Sequence, residues 1–409
     1  MKKLTLAVIA LAAAATASAQ IDLVKHAERM VKDGAPANEV VETITPAFTN
    51  GETANMALTW FVPGKASYAE YDKLVGLKAL GQLPEDGNKK MGHLLIDGFG
   101  YFAKALPLDS VPDAKGKIKT KYSKDIAGIV VGHAADYTNM GAELFNARDY
   151  EGAYDAWKIF TSLPKMQAFA GKLPQYPDSV YGEIYYNTAL AAWQANRLDD
   201  ALEAFMGAKA HDYKKKQLYD YAIAVATQAH KNDTVLALAE EALPMYGAED
   251  DMYLAQVVNY YLQARDFPKA FQIINDALAT KPDNSQYYVI RGVLYENNEE
   301  KDNAIADYQK AIELDGENAK ALWNYGRLLC EKAYRAADNA PTVEAQYIPY
   351  AEENIYPLFR QAAEILEHAY SIDQDNPDNG DILNYLENIY YNLNEEAKLN
   401  DVKQRKAYN

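Results

Sequence analysis

The sequence predicts an all-α protein: a solenoid of helical hairpins with two inserted segments and a C-terminal capping helix. Two observations predict it. Apolar residues recur at helical spacing through most of the chain, and one pattern of small and aromatic residues returns after 34 positions, as from Val258 to Gly292. The length of 409 residues exceeds what one ordinary core holds, which favours a repeat array or several domains.

The repeating unit is a pair of antiparallel helices. Gly292 lies 12 residues before Ala304, Tyr308 follows four later and Ala311 three after that. A small residue and an alanine let two helices approach closely, and the aromatic ring fills the space between them. The same spacing recurs at three other sets: Val258, Ala270, Ile274, Ala277; Ala189, Ala201, Phe205, Ala208; and Gly141, Ala153, Trp157, Phe160.

This pattern resembles the tetratricopeptide repeat (TPR), which implies a right-handed superhelix of stacked helix pairs. The segments "WFVPGK" and "ALPLDSVPDAKGKIKTKYSKDI" are also similar to exported repeat proteins of Bacteroidota. The resemblance implies binding of a protein or peptide partner and brings no defined activity.

Two pairs are interrupted. In the first, the repeat spacing is kept by Trp60, Gly64 and Gly98. Gly64 and Gly98, the small residues of the two helices, lie 34 positions apart, which is 22 more than the 12 found in the regular pairs. Pro63 is expected to kink or shorten that first helix. In the second case, Gly326 and Ala362 lie 36 residues apart, an excess of 24 that we place near 331–355.

These patterns predict four regions. They are a signal peptide at 1–19, divergent TPR-like units at 20–133, the TPR array at 134–376, and a capping helix at 377–409.

The N-terminus predicts export. Lys2 and Lys3 precede an Ala-rich apolar run that closes on "ASA", the pattern of a secretory signal peptide cleaved after Ala19, which leaves Gln20 first. No cysteine stands at the cleavage point, so we expect no lipid anchor. We expect a periplasmic or secreted protein without membrane insertion.

Charge and cysteine content narrow the function. The formal net charge of −17 becomes −19 without the two signal lysines, and such a surface repels nucleic acid. Cys330 is the only cysteine in the sequence, so no internal disulfide can form. A lysine-rich run at 115–124 is either a charged linker between helices or a docking strip for an acidic partner.

No motif in the sequence predicts catalysis, a metal or a cofactor. The six histidines form no closely spaced pair, and no phosphate-binding glycine loop is present. Asp375, Asn379 and Gly380 fit an EF-hand loop, but Pro377 and Leu386 stand where ligands are needed, which favours a solvated turn. The sequence therefore predicts a non-enzymatic protein, although acidic residues paired only by the fold stay open as catalysts.

Six residues are predicted to line a binding groove. By their offset from the small residue of each first helix, they fall on the face that lines the concave groove in proteins of the resembled family. They are Tyr186, Trp193, Asn259, Gln263, Trp323 and Arg327. The regularly placed Lys and Asn that clamp a peptide carboxylate in the chaperone-binding members do not occur here. For Trp323 the alternative is packing against the insert after Cys330.

Three tripeptides, "DSV" twice and "DTV" once, resemble the O-glycosylation signal of exported Bacteroidota proteins. Their acceptors would be Ser110, Ser179 and Thr234. Helix capping and turn formation explain such tripeptides equally well.

Two functional hypotheses remain. The leading one is an exported scaffold that binds a protein or peptide in the periplasm or at the outer membrane. The alternative is a glycan-binding protein of the cell envelope, because some all-helical starch-binding proteins stack sugars on aromatic side chains.

Overall fold

The structure is a computed structural model that describes residues 19–112, 115–213, 215–247, 249–372 and 379–408. Its described residues form α-helices joined by turns, with three short 3₁₀ segments and no β-strand. The predicted all-α helical-repeat fold is therefore confirmed. Contacts divide the chain into two units, residues 1–231 and 232–409.

The first unit contains the helices α1 to α10. α1 covers 19–32, and the others are α2 (Ala37–Ile44), α3 (Ala57–Ala79), α4 (Gly87–Asp109), α5 (Ser123–Gly132), α6 (Ala134–Asn146), α7 (Tyr150–Ser162), α8 (Asp178–Gln194), α9 (Leu198–Ala210) and α10 (Lys216–Gln228).

The second unit contains the helices α11 to α20. They are α11 (Asn232–Tyr246), α12 (Met252–Gln263), α13 (Phe267–Thr280), α14 (Ser285–Asn297), α15 (Lys301–Leu314), α16 (Ala319–Asp338), α17 (Glu344–Asn354), α18 (Tyr356–Ile372), α19 (Asn379–Asn392) and α20 (Glu396–Tyr408).

The predicted small, alanine and aromatic positions meet inside each helix pair. In the pair α14 and α15, Ala304 and Tyr308 are fully buried, and the Tyr308 ring lies directly against Gly292. In the pair α6 and α7, Trp157 lies against Gly141 in the same way. Only a glycine leaves room for these rings, so this packing explains the sequence pattern.

The turn inside a pair is equally regular. At the turn between α6 and α7, Arg148 adopts a left-handed φ of 59°, and the Asp149 amide donates to the Leu144 carbonyl. This is a Schellman turn, which lets one residue end a helix and the next begin another. Asp149 then caps α7 by accepting from the Gly152 amide. Left-handed residues stand at the equivalent places Asn196, Arg265 and Glu299.

The residues of the first insert lengthen both helices of the pair. α3 and α4 each span 23 residues, and the Phe102 ring packs against Gly64 as the repeat spacing predicts. Pro63 lies inside α3 and does not shorten it, so that part of the prediction is wrong. The helix continues because Phe61, Val62 and Gly64 around the proline are buried, and this packing offsets the lost hydrogen bond.

The second insert lengthens α16 to Asp338 and adds α17. Leu366 of α18 packs against Gly326 of α16, so these two helices form the pair that the sequence predicts across the insert. The C-terminal region differs from the predicted single capping helix, because it forms two helices, α19 and α20. Asn394 has a left-handed φ of 58° and reverses the chain between them.

Candidate functional site

Four aromatic side chains form a continuous surface in the first unit, which we call the aromatic strip: Tyr186, Trp193, Tyr213 and Tyr221. The Tyr186 ring is stacked on Tyr213, with centroids 5.0 Å apart, and on Tyr221 at 6.4 Å. Trp193 lies 5.6 Å from Tyr221 in a tilted arrangement. The strip runs from α8, across Tyr213 in the turn before α10, to α10 itself.

The strip is partly open to solvent. Tyr186 is buried, whereas Trp193, Tyr213 and Tyr221 are half-buried. The Trp193 indole N–H donates to Oε1 of the exposed Gln228 at 3.0 Å. This bond fixes the tryptophan ring and leaves the side-chain NH₂ group of Gln228 available to donate to a ligand.

The environment of Tyr186 keeps its hydroxyl neutral. Burial raises the pKa of Tyr186 to about 12, helped by the nearby hydroxyls of Tyr221 and Tyr213 and by Asp220. The Lys215 ammonium lies 4.6 Å from the Tyr213 ring centroid and adds a positive charge at the end of the strip. The arrangement suits apolar contact with hydrogen bonding at its margin.

In the second unit, Asn259 and Gln263 lie one turn apart on α12, and both are exposed. Trp323 of α16 is half-buried and meets Tyr385 of α19 edge to face, with centroids 5.4 Å apart. Its aromatic partner therefore lies beyond the insert, on the helix after α18.

Arg327 belongs to a network of ion pairs. Its guanidinium donates to Glu296 at 2.5 Å and to Glu331 at 2.8 Å, and Glu296 also accepts from the Tyr308 hydroxyl at 2.6 Å. Burial opposes the charged guanidinium, but the pairs with Glu296 and Glu331 outweigh it and raise the pKa of Arg327. This network joins α14, α15 and α16, a role that sequence reasoning missed because Arg327 lies 31 positions from Glu296.

The six predicted groove residues thus fall into two groups. The structure brings Tyr186 and Trp193 together in the first unit and places Asn259, Gln263, Trp323 and Arg327 in the second. Tyr221 and Gln228 were missed, because the α10 repeat is too degenerate to align by spacing alone. Binding at any of these residues stays a prediction.

No group of three His, Cys, Asp or Glu side chains suited to a metal occurs in the part of the chain that the structure describes. The EF-hand-like segment lies mostly at 373–378, outside the described residues. Cys330 is fully buried, and burial raises the pKa of its thiol to about 12. The thiol is therefore inert at neutral pH.

The predicted glycosylation acceptors lie near helix ends. Ser110 follows the last turn of α4 and is exposed, and its hydroxyl donates to the Leu106 carbonyl at 3.1 Å. Ser179 is exposed in the first turn of α8, and Thr234 is half-buried in the first turn of α11. Their modification stays a prediction.

The signal peptide prediction concerns residues 1–18, which lie outside the described residues, and the junction of Ala19 and Gln20 at the start of α1. Among the described helices, none is both long and apolar enough to cross a membrane.

The fold and its packing define the class: an all-α helical-repeat protein. The family comparison then specifies the repeat, because residues 285–318, which contain α14 and α15, match the family described as Tetratricopeptide repeat. No curated protein matches the sequence.

Several solved structures are similar to this chain. The C-terminal part of a TPR repeat-containing protein from Cytophaga hutchinsonii is 14% identical, over 66% of this chain and 93% of that one, with a TM-score of 0.40. A TPR repeats protein from Bacteroides fragilis is 15% identical over 63% and 98%, with a TM-score of 0.31. MamA from Desulfovibrio magneticus RS-1 is 15% identical over 48% and 97%, with a TM-score of 0.33. The predicted resemblance to TPR proteins, including ones from Bacteroidota, is confirmed.

Proposed function

We propose that this chain is a non-enzymatic, exported scaffold that binds a protein or peptide partner in the periplasm or at the outer membrane. The observation that carries the proposal is the aromatic strip. Half-buried tyrosine and tryptophan rings, a fixed indole and an exposed amide form the kind of surface in which binding energy concentrates at protein interfaces.

The stacking within the strip favours a polypeptide ligand over a sugar. A sugar ring needs an open aromatic face, but Tyr186 is stacked on two neighbouring rings and is buried. What the strip offers instead is ring edges, tyrosine hydroxyls and the Gln228 amide, which suit apolar side chains and backbone groups of an extended segment. Binding of an envelope glycan remains the second candidate, since Trp193 is only partly covered.

The test is capture from an envelope extract of the native organism, followed by affinity measurement with the captured protein. Trp193→Ala should weaken binding by about 2 kcal/mol or more, roughly thirtyfold, as expected for a central aromatic anchor. The matched control is Tyr391→Ala, which truncates a tyrosine that is 71% exposed on α19 of the second unit. Equal affinities of the two variants would show that the aromatic strip is not the binding site. Binding to a glycan array that Trp193→Ala abolishes would instead favour a glycan as the ligand.

A further inference from the structure

A cavity of about 290 Å³ lies between the α1–α2 turn and α3 in the first unit. Most of its lining is apolar and comes from Val31, Ala35, Pro36, Ala66, Leu74 and Leu77. Val31, Ala35 and Ala66 belong to the hydrophobic cluster that joins α1, α2 and α3. Leu74 and Leu77 belong to a second cluster, which continues into α4 and α6. The cavity is therefore a space that neither cluster fills.

The turn on one side of the cavity is fixed to the fold. Gly34 has a left-handed φ of 76°, and the Ala35 amide donates to the Met30 carbonyl at 3.0 Å, so α1 ends in a Schellman turn. The Ala37 amide at the start of α2 donates to Oε2 of Glu70 on α3 at 2.5 Å. Because these bonds tie the turn to α3, the cavity exists before a ligand enters, which lowers the entropic cost of binding.

The charged groups at the cavity leave one ammonium without an ion-pair partner. Glu70 pairs with Lys90 at 2.5 Å. Burial opposes the ionised Glu70 carboxylate, but hydrogen bonds from Lys90 and from the Ala37 amide outweigh it and lower the pKa of Glu70. Lys73 is exposed at the cavity, makes no hydrogen bond or ion pair with any residue that the structure describes, and interacts with Glu70 only at longer range.

One carboxylate and two ammonium groups give the lining a net positive charge, although the formal net charge of the chain is −17. At physiological salt the Debye length is about 8 Å, so the lysines at the cavity act on a ligand there more strongly than distant carboxylates do. A cavity of about 150 Å³ holds benzene, so this larger one takes an apolar group of roughly ten non-hydrogen atoms.

We propose that this cavity binds a small aliphatic carboxylate, with its alkyl chain against the apolar walls and its carboxylate beside the Lys73 ammonium. The walls provide apolar contact but few hydrogen-bonding groups, which disfavours a sugar or another strongly polar ligand. The positive charge favours an acid over an alcohol or an amine of the same length. The cavity shares no residue with the aromatic strip, so this ligand is additional to the proposed protein or peptide partner.

The experiment is isothermal titration calorimetry of the purified chain with hexanoate, octanoate and octanol. We expect one octanoate to bind per chain. Each added methylene should tighten binding about fourfold, so octanoate should bind roughly fifteenfold more tightly than hexanoate. Octanol should bind about fivefold more weakly than octanoate, because it cannot form the ion pair with Lys73.

Two variants test the charge and the space separately. Lys73→Met should weaken octanoate binding about fivefold and leave octanol binding unchanged. Its matched control is Lys65→Met, at an exposed lysine of α3 outside the cavity. Ala69→Leu places a larger side chain at the cavity and should abolish binding of both compounds, whereas Ala79→Leu, at an exposed alanine of α3 outside it, should not.

Thermal melting shows whether each variant is folded, and Lys73→Met tests the site even if Ala69→Leu is destabilised. The proposal would be overturned if octanoate shows no saturable binding, or if Ala69→Leu leaves octanoate binding unchanged in a folded chain. Equal octanoate affinities of Lys73→Met and Lys65→Met would overturn it as well, because the ligand's carboxylate would then not lie beside Lys73.

Discussion

Replacing Gly292 by alanine tests whether the repeat pattern reflects close packing of two helices. A Cβ at this position would lie 2.6 Å from Cε1 and 2.9 Å from Cζ of Tyr308. Carbon atoms in contact normally lie about 3.5–4.0 Å apart. The ring cannot easily retreat, because Tyr308 is fully buried and its hydroxyl donates to Glu296 at 2.6 Å.

The magnitude follows from three contributions. Overpacking a core costs about 1–3 kcal/mol. Alanine in place of glycine stabilises a helix by about 1 kcal/mol, which partly offsets this cost. Any shift of the Tyr308 ring also weakens a hydrogen bond to a carboxylate, worth about 1.5–3 kcal/mol. We therefore expect Gly292→Ala to destabilise the second unit by about 2 kcal/mol.

The assay is hydrogen exchange resolved by helix, because two units need not unfold as one. Protection should fall in α14 and α15 and also in α16, which shares the Arg327 network. The matched controls are Gly76→Ala in α3 and Gly100→Ala in α4, where an added Cβ meets nothing within 4 Å. These should stabilise the chain by up to about 1 kcal/mol. The packing argument fails if Gly292→Ala also stabilises.

Three further predictions concern other residues. Burial alone would raise the pKa of Asp109, but hydrogen bonds from Ser123 and from backbone amides lower it. The ionised carboxylate therefore stabilises the folded chain fully at pH values above the ordinary pKa of about 3.9. This stabilisation is lost as the pH falls through the lowered pKa. Asp109→Asn should lower the free energy of unfolding by about 1–3 kcal/mol at neutral pH. The loss of stability at acid pH, measured by urea unfolding, should be smaller in this variant, and an unchanged pH dependence would contradict the prediction. Arg327→Ala should lower the melting temperature, because Glu296 loses its cationic partner and Glu331 keeps its pair with Lys301 but loses the one with Arg327, whereas Asn259→Ala should not lower it. Equal melting temperatures would show that the Arg327 network contributes nothing. The intact mass of the native protein should correspond to a chain that begins at Gln20, and a mass that includes Met1 would contradict export.

Much of the fold follows from the sequence because repeat packing is local. The spacing of Gly292, Ala304 and Tyr308 predicts their contact, since both helices of a pair lie within a few dozen residues. The fate of Pro63 could not be predicted in this way. Tertiary burial of its neighbours decides whether the helix continues, and that burial depends on residues far along the chain.

The candidate site was predictable only in part. The offsets from Ala189 predict Tyr186 and Trp193, but the contacts of both with Tyr221 depend on a repeat whose sequence has lost the pattern. Arg327 was correctly placed on a first helix, yet its pairing with Glu296 appears only when α14 and α16 are brought together. Sequence spacing predicts on which face of a helix a residue lies. The ion-pair partners of a charged side chain can be identified only when the position of the neighbouring helix is known.

The most direct test of the proposed binding surface is photocrosslinking in the native cells from a reactive residue placed at Gln228. This position is exposed and bonds to Trp193, so a ligand on the aromatic strip must pass within reach of it. We predict a discrete crosslinked species in the envelope fraction that Trp193→Ala removes and that the same reactive residue at Tyr391 does not form. Identical crosslinking from both positions, or none from Gln228, would contradict the assignment of the strip as the binding surface.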